Sequence, residues 1–275
     1  MGAGLAFNLK TRMIHTEEYT VHGTEIDYTY RLTEPHLVSL FQDAFARYCA
    51  GLGIAAYDLQ RMQKTWILSD FHAVFHSALP KWHQKIKFEV WARKLQSFRI
   101  YADFKAFDEL GNCCASGSSC WLILDETNRV PIDDKATFQK LGLTPNQAVE
   151  GFRFSKPEPL SGQLFEDQGK VRSSDIDFNF HLNSVRYIAV GLTTLPIDFR
   201  IKNKLNWLTI RYNQEVMVNQ ELRSRVFVDG DKAMHLLQSA DQSLEFSRMY
   251  TQWEPAQINL CWDDEKPSQH RAFPT

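Results

Sequence analysis

The sequence predicts an α+β fold made of two tandem copies of one unit, each a long helix followed by a run of antiparallel strands. Three observations predict it: a gapless self-match at one pitch, an amphipathic helical pattern after each matched segment, and period-two alternation beyond it. The match lays Thr24-Glu25-Ile26-Asp27-Tyr28-Thr29-Tyr30-Arg31-Leu32-Thr33 over Ser174-Asp175-Ile176-Asp177-Phe178-Asn179-Phe180-His181-Leu182-Asn183. The pitch is 150 residues, 177 minus 27.

In the first copy Thr33 is a good helix N-cap and Pro35 suits the first turn. Leu37, Leu40, Phe41, Ala44, Phe45 and Tyr48 then recur at helical spacing before Gly51 and Gly53. In the second copy Asn183 caps, Val185, Ile188, Ala189 and Leu192 form the stripe, and Pro196 stops the helix. Among the strands, Ile86, Phe88 and Val90 alternate with Lys85, Lys87 and Glu89. Ile100, Ala102, Phe104 and Ala106 alternate with Tyr101, Asp103, Lys105 and Phe107. Turn residues separate the runs at 108–112, 125–128 and 229–231, and matching strands are expected at 206–218, 221–229, 233–239 and 243–253. Residues 131–165 lose the alternation and collect four prolines, which reads as a surface connection; the polar tail from Pro255 is expected to fray. A curved sheet wrapped round a long helix is the hot-dog arrangement. The expected division is therefore a hot-dog domain at 1–130, a linker at 131–165, a second hot-dog domain at 166–255 and a tail at 256–275.

A chain of 275 residues that is 44% hydrophobic has material for two cores. Thirty-one basic against 33 acidic residues give a net charge of −2, which supplies no bulk field for nucleic acid or an anionic membrane. No apolar stretch approaches the roughly 20 residues that span a bilayer. Residues 1–10 lack the charged start and apolar run of a secretory signal. The five cysteines, Cys49, Cys113, Cys114, Cys120 and Cys261, are odd in number and lack metal-like spacing, so a reducing cytoplasm is expected, with neither a metal nor an organic cofactor.

The chemistry concentrates where the two copies differ. Asp177-x-Asn179-x-His181-x-Asn183 alternates with Ile176, Phe178, Phe180 and Leu182, and an extended strand would gather the polar side chains on one side. The first copy keeps Asp27 but has Thr29, Arg31 and Thr33 at the other three places. Arginine does not exchange protons near neutral pH, so the first copy is expected to be inert and the shared Asp to be structural. From the residues alone, His181 is either a proton-transfer group or a capping residue, and Asn183 is sufficiently explained as an N-cap.

The sequence resembles the acyl-[acyl carrier protein] thioesterases of plants and bacteria. Their Asp-x-Asn-x-His-x-Asn-Asn-x-x-Tyr motif is matched by Asp177, Asn179, His181, Asn183 and Tyr187, with Ser184 replacing the second Asn. Their Tyr-Arg-Arg-Glu-Cys-like segment is matched by Tyr212-Asn213-Gln214-Glu215-Val216, where Glu215 follows His181 by 34 residues. The ending Thr251-Gln252-Trp253-Glu254-Pro255 looks like their closing segment, so the likeness runs from about Thr16 to Pro255.

The resemblance implies hydrolysis of a fatty acyl-carrier thioester by Asp177, Asn179, His181 and Glu215. Glu215 would deprotonate water, with direct carboxylate attack as the variant. His181 would orient that water or protonate the departing thiolate, Asn179 would hold the water or the carbonyl, and Asp177 would orient Asn179 and His181. Val216 stands where plant members often carry Cys, which excludes a thiol nucleophile there. The first domain, with Phe41, Phe45, Tyr48, Trp66 and Phe71, would house the acyl chain, although each of these is also an ordinary core residue.

The implied partner is an acidic acyl carrier protein, docking on Arg93, Lys94 and Arg99 or on Arg200, Lys202 and Lys204, and a homodimer is a further possibility. A plant member would carry a Ser/Arg-rich transit segment, so a start without one favours a bacterial source or a mature chain. A hot-dog thioesterase acting on acyl-coenzyme A and a non-catalytic acyl-binding protein are the rivals. The second would be expected to carry a helix-turn-helix, which the sequence lacks.

Overall fold

In the computed structural model the described residues are 14–155 and 158–256. The predicted tail, beyond Ala256, and Cys261 lie outside them. The first half contains β1 (His15–Thr20), α1 (Glu34–Gly51), α2 (Ala56–Gln60), β2 (Lys64–Phe75), β3 (Lys85–Gln96), β4 (Arg99–Phe107), β5 (Cys113–Asp125), β6 (Val130–Ile132) and α3 (Lys135–Phe138). The second contains β7 (Gln163–Lys170), α4 (Ser184–Thr193), α5 (Ile197–Lys202), β8 (Asn203–Tyr212), β9 (Glu221–Asp229), β10 (Lys232–Ser239) and β11 (Glu245–Pro255).

All strands join one antiparallel sheet in the order β1-β3-β4-β5-β2-β8-β11-β10-β9-β7, with β6 added to β5. The order of the second half mirrors that of the first, and the halves meet where Asp70 to Val74 of β2 pair with Trp207 to Arg211 of β8. An Arg211 Nε to Asp70 Oδ1 pair at 2.7 Å and a His72 Nδ1 to Thr209 Oγ1 contact at 2.7 Å cross that seam. Phe152 stacks on His72 with ring centroids 3.7 Å apart.

Helix α1 buries Leu37, Phe41, Ala44, Phe45 and Tyr48 as its spacing predicts, together with Val38 and Cys49, while Leu40 is only partly buried. Ile86, Phe88, Val90, Ile100, Ala102, Phe104 and Ala106 face it from β3 and β4, each fully buried. The second helix is shorter, ten residues, and buries Tyr187, Ile188, Gly191 and Leu192 rather than Val185 and Ala189. Its Asn183 cap accepts the Val185 N–H at 2.9 Å.

Three expectations change. The strand expected at 206–218 ends at Tyr212, because the Asn213 and Gln214 N–H groups both turn to the Phe246 carbonyl, at 2.8 and 3.2 Å. Residues 131–155 are more than a surface connection. They contribute β6 and α3, bury Phe138 and Leu141, and dock on β3 through Trp91 Nε1 to the Asn146 carbonyl at 2.8 Å and Thr144 N–H to the Ala92 carbonyl at 2.8 Å. Residues 177–183, finally, are not extended.

Candidate active site

The alternation of residues 176–182 comes from a tight turn whose ends pair in an Ile176–Leu182 bridge. The Asp177 N–H donates to the His181 carbonyl at 2.8 Å, and the Phe180 N–H to the Asp177 carbonyl at 3.0 Å. The Asp177 carboxylate accepts the Asn179 N–H at 2.8 Å, the local bond by which Asp stabilises turns. Phe180 takes φ of 63°, which throws its ring outward: Phe178 and Phe180 are 64% and 72% exposed instead of packing inward. Period two was misleading here because a turn closed at both ends also places alternate residues on opposite sides.

Two further segments fix what the turn presents. After β8 the chain crosses under it, with the Leu182 N–H donating to the Val216 carbonyl at 2.7 Å and a bridge between His181 and Met217. Glu215 therefore stands in a loop, not on a strand. The Tyr187 hydroxyl of α4 clamps this loop by donating to the Gln214 carbonyl at 3.1 Å, and burial holds that phenol above its usual range. His181 Nε2 then lies 3.3 Å from Glu215 Oε2, with both side chains partly buried.

Two residues that the sequence did not single out arrive from the first half. Gln60, at the end of α2, donates its Nε2 to Asn179 Oδ1 at 3.3 Å. Arg129, on the β5–β6 turn, pairs with Glu215 Oε2. Neither carries a local signal, since each contact spans a long stretch of sequence.

Asp177, Asn179, His181 and Glu215 all border one cavity of about 840 Å³. From them it passes Asn183 and Ser184 and runs along α1, past Ser39, Gln42, Asp43, Ala46 and Cys49, to Phe45, Trp66, Leu68, Trp121 and Leu124. Phe45 stacks on Trp121 at 5.1 Å, and Trp66 is pinned by its Nε1 to the Ile54 carbonyl at 2.8 Å. Of the expected aromatic lining, Phe41, Tyr48 and Phe71 belong to the core and do not border the cavity. The polar side chains of the second half and an aromatic and aliphatic cluster of the first thus border the same cavity. Among the described residues no group of three or more His, Cys, Asp or Glu side chains is arranged to hold a metal.

Of the six residues considered for docking, Arg93 pairs with the fully buried Asp103 at 3.0 Å, and Lys204 pairs with Glu254. Arg99 donates to Ser69 at 3.3 Å. Lys94 and Lys202 are exposed. Among the described residues no helix is long and apolar enough to cross a membrane.

A helix-wrapping sheet repeated twice in one chain defines a double hot-dog protein. The chain belongs to the acyl-ACP thioesterase family. Its residues 12–135 match the acyl-ACP thioesterase N-terminal domain and residues 160–262 the C-terminal domain.

Among similar proteins is the acyl-[acyl-carrier-protein] hydrolase FATB3, chloroplastic, of Cuphea viscosissima. It is 20% identical over 87% of this chain and 62% of its own length. The palmitoyl-acyl carrier protein thioesterase, chloroplastic, of Arabidopsis thaliana is 21% identical over 72% of this chain and 52% of its own length. The chain therefore spans less than two thirds of these relatives. Among solved structures, an acyl-ACP thioesterase from Bacteroides thetaiotaomicron superposes with a TM-score of 0.79 at 20% identity, covering 88% of this chain and 98% of that one. The 12:0-ACP thioesterase from Umbellularia californica gives 0.78 at 18% identity, with the same coverage. At that identity the superpositions establish the fold.

Proposed function

We propose that this protein hydrolyses fatty acyl thioesters of acyl carrier protein, releasing the free fatty acid and the carrier thiol. The observation that carries the proposal is the 3.3 Å approach of His181 Nε2 to Glu215 Oε2 at the mouth of a cavity whose interior is apolar. Such a cavity suits an alkyl chain, and a thioester at its mouth would lie beside the polar groups. The two halves, divided at 1–130 and 166–255, then have separate tasks, acyl binding and chemistry.

In the proposed reaction Glu215 takes a proton from water, which attacks the thioester carbonyl. The Asn179 amide stabilises the oxyanion. Collapse breaks the C–S bond, and a proton delivered through His181 leaves with the thiolate. One water is consumed, and an acid and a thiol result. Asp177 holds the turn that presents Asn179. No thiol takes part, since Val216 fills the position where plant members often have cysteine and is itself fully buried.

Plant relatives are named for a carrier-protein substrate, and this supports the carrier over coenzyme A. Incubation with acyl-carrier proteins of graded chain length, followed by mass analysis of free fatty acids, tests the reading. A kcat/KM for acyl-coenzyme A equal to or above that for the same acyl group on carrier protein would transfer the assignment to coenzyme A. Gel filtration at low micromolar concentration tests for the homodimer.

A further inference from the structure

We infer that the first half also takes part in the chemistry, through Gln60 and Arg129, which act as positioning residues for Asn179 and Glu215. The inference rests on the hydrolase reading above and deepens it, because it decides what Asn179 does. An amide side chain has one accepting end and one donating end. Asn179 Oδ1 is taken by Gln60 Nε2 at 3.3 Å, and the Asn179 backbone N–H by Asp177 at 2.8 Å. The end left for substrate is Nδ2, a donor. In this pairing Asn179 presents a donor to the carbonyl oxygen, and to the oxyanion that develops from it, rather than an acceptor to water.

Arg129 performs the matching task on the carboxylate. Its turn is fixed by Asp125, whose Oδ1 accepts the Thr127 and Asn128 N–H groups at 2.9 Å each and whose carbonyl accepts the Arg129 N–H at 2.9 Å. The guanidinium meets Glu215 Oε2, the same oxygen that lies 3.3 Å from His181. With Oε2 held from two sides, Oε1 remains to take the proton from water. Both partners of the ion pair are substantially exposed, and such a pair contributes little to folding. Its consequence is therefore sought in geometry, where small misplacements are costly to a rate.

Two double-substitution cycles on the full chain test this. In Gln60→Glu the carboxylate can only accept, so Asn179 turns its Nδ2 toward residue 60 and shows Oδ1 to the substrate. The expected result is a fall in kcat of about tenfold or more with KM near the parent value, and no further fall when Asn179 is already Ala. Arg129→Gln should lower kcat about tenfold, Arg129→Lys should restore part of it, and neither should matter once Glu215 is Gln. Circular dichroism and urea midpoints matched to the parent exclude misfolding.

Parent-like kcat in the single variants, or effects that add in full to those of Asn179→Ala and Glu215→Gln, would overturn the inference. If the parent hydrolyses no acyl thioester, the hydrolase reading fails by itself. The side-chain amide resonance of Asn179 then judges the contact without turnover: displacement in Gln60→Glu supports it, and an unmoved signal sinks it.

Discussion

Between Ile26 and Leu32, and again between Ile176 and Leu182, the backbone closes the same bridge. It repeats the same hydrogen bonds one pitch of 150 residues apart and sets Tyr30 and Phe180 at φ of 60° and 63°. The side chains on this shared turn diverge. Arg31, where the second turn has His181, is spent on the Leu79 carbonyl at 2.9 Å. Arg31 bridges to Lys81 as His181 bridges to Met217, so the residue two places earlier, Leu79 or Glu215, faces each turn. One copy pairs Arg with buried Leu; the other pairs His with Glu. Asp27 and Asp177 both accept the N–H two residues on, at 2.7 and 2.8 Å, so the shared residue maintains the turn, and the unshared ones are those to which the proposed chemistry falls.

The cores beneath the two helices differ in the same compensated way. In the first half Phe41 of α1 packs on Phe104 of β4 with centroids 4.5 Å apart. Room for that ring exists because Gly117 of β5 lacks a Cβ, which would sit 2.4 Å from it. Gly191 stands one pitch after Phe41. Register places His235 where Phe104 stands: Phe104 pairs with Val90, and His235 with Val226. Phe104 also pairs with Gly117, and His235 with Met249, so Met249 takes the glycine's place. The glycine has moved from sheet to helix. A Cβ on Gly191 would approach Met249 Cε to 2.8 Å, so the volume lost at the helix is refilled from the sheet.

The largest effect that would break the comparison is at the turns. His181→Ala and Glu215→Gln should each lower kcat by about 10²–10⁴-fold, the range for general acid–base groups, in proteins whose circular dichroism matches the parent. Arg31→Ala should change kcat modestly. Its cost falls on stability, about 1–3 kcal/mol, because the Leu79 carbonyl loses its donor. Equal losses of kcat at residues 31 and 181 would end the division between an inert and an active copy.

The repeat, both helices and most strands were legible because each rests on periodicity, a property of neighbouring residues. The ends of β9 and β4 follow from turn residues for the same reason. The conformation of residues 177–183 was not legible, since alternation in a closed turn and in a strand gives the same string of letters. Asp177, Asn179, His181 and Glu215 were singled out through residue type and family spacing, and all four border one cavity. Gln60 and Arg129 were missed because their contacts join segments far apart in sequence that the β2–β8 seam and the packing of α1 on α4 bring together. The exchange among Phe41, Phe104 and Gly117 on one side and Gly191, His235 and Met249 on the other required sheet register.

A smaller effect sharpens the core comparison. His235 Nδ1 donates to the Gly191 carbonyl at 3.0 Å, and its Nε2 faces the Thr251 hydroxyl at 2.8 Å, so the buried ring is neutral and burial lowers its pKa to about 4. An unfolded histidine titrates near 6.5. The unfolded chain therefore binds the extra proton between pH 6.5 and 4, and stability conferred by the neutral ring falls as pH falls through that window. The loss amounts to about 3 kcal/mol. Phe104 has no such dependence. His235→Gln keeps a donor and an acceptor without titrating, so urea unfolding at pH 6.5 and pH 4.5 should show a shallower pH dependence than in the parent. Parallel curves would mean that His235 is not the group responsible.

The smallest effect expected is from thiol alkylation, and it tests the comparison from the other side. Among the described residues Cys49, Cys113, Cys114 and Cys120 all belong to the first half, while the groups proposed to move protons belong to the second. Cys49 borders the cavity, yet burial pushes its thiol up to about 12, and the same cause carries Cys114 to about 12 and raises Cys113. Thiols so placed carry little thiolate near neutral pH and are poor nucleophiles. In a Cys261→Ser background, which removes the cysteine outside the described residues, iodoacetamide at pH 7 should leave kcat within about twofold of the untreated protein. Mass spectrometry of the treated protein locates any label. Loss of turnover that tracks labelling of Cys49, with circular dichroism unchanged, would mean that the first half supplies a reacting group rather than positioning side chains and an acyl cavity.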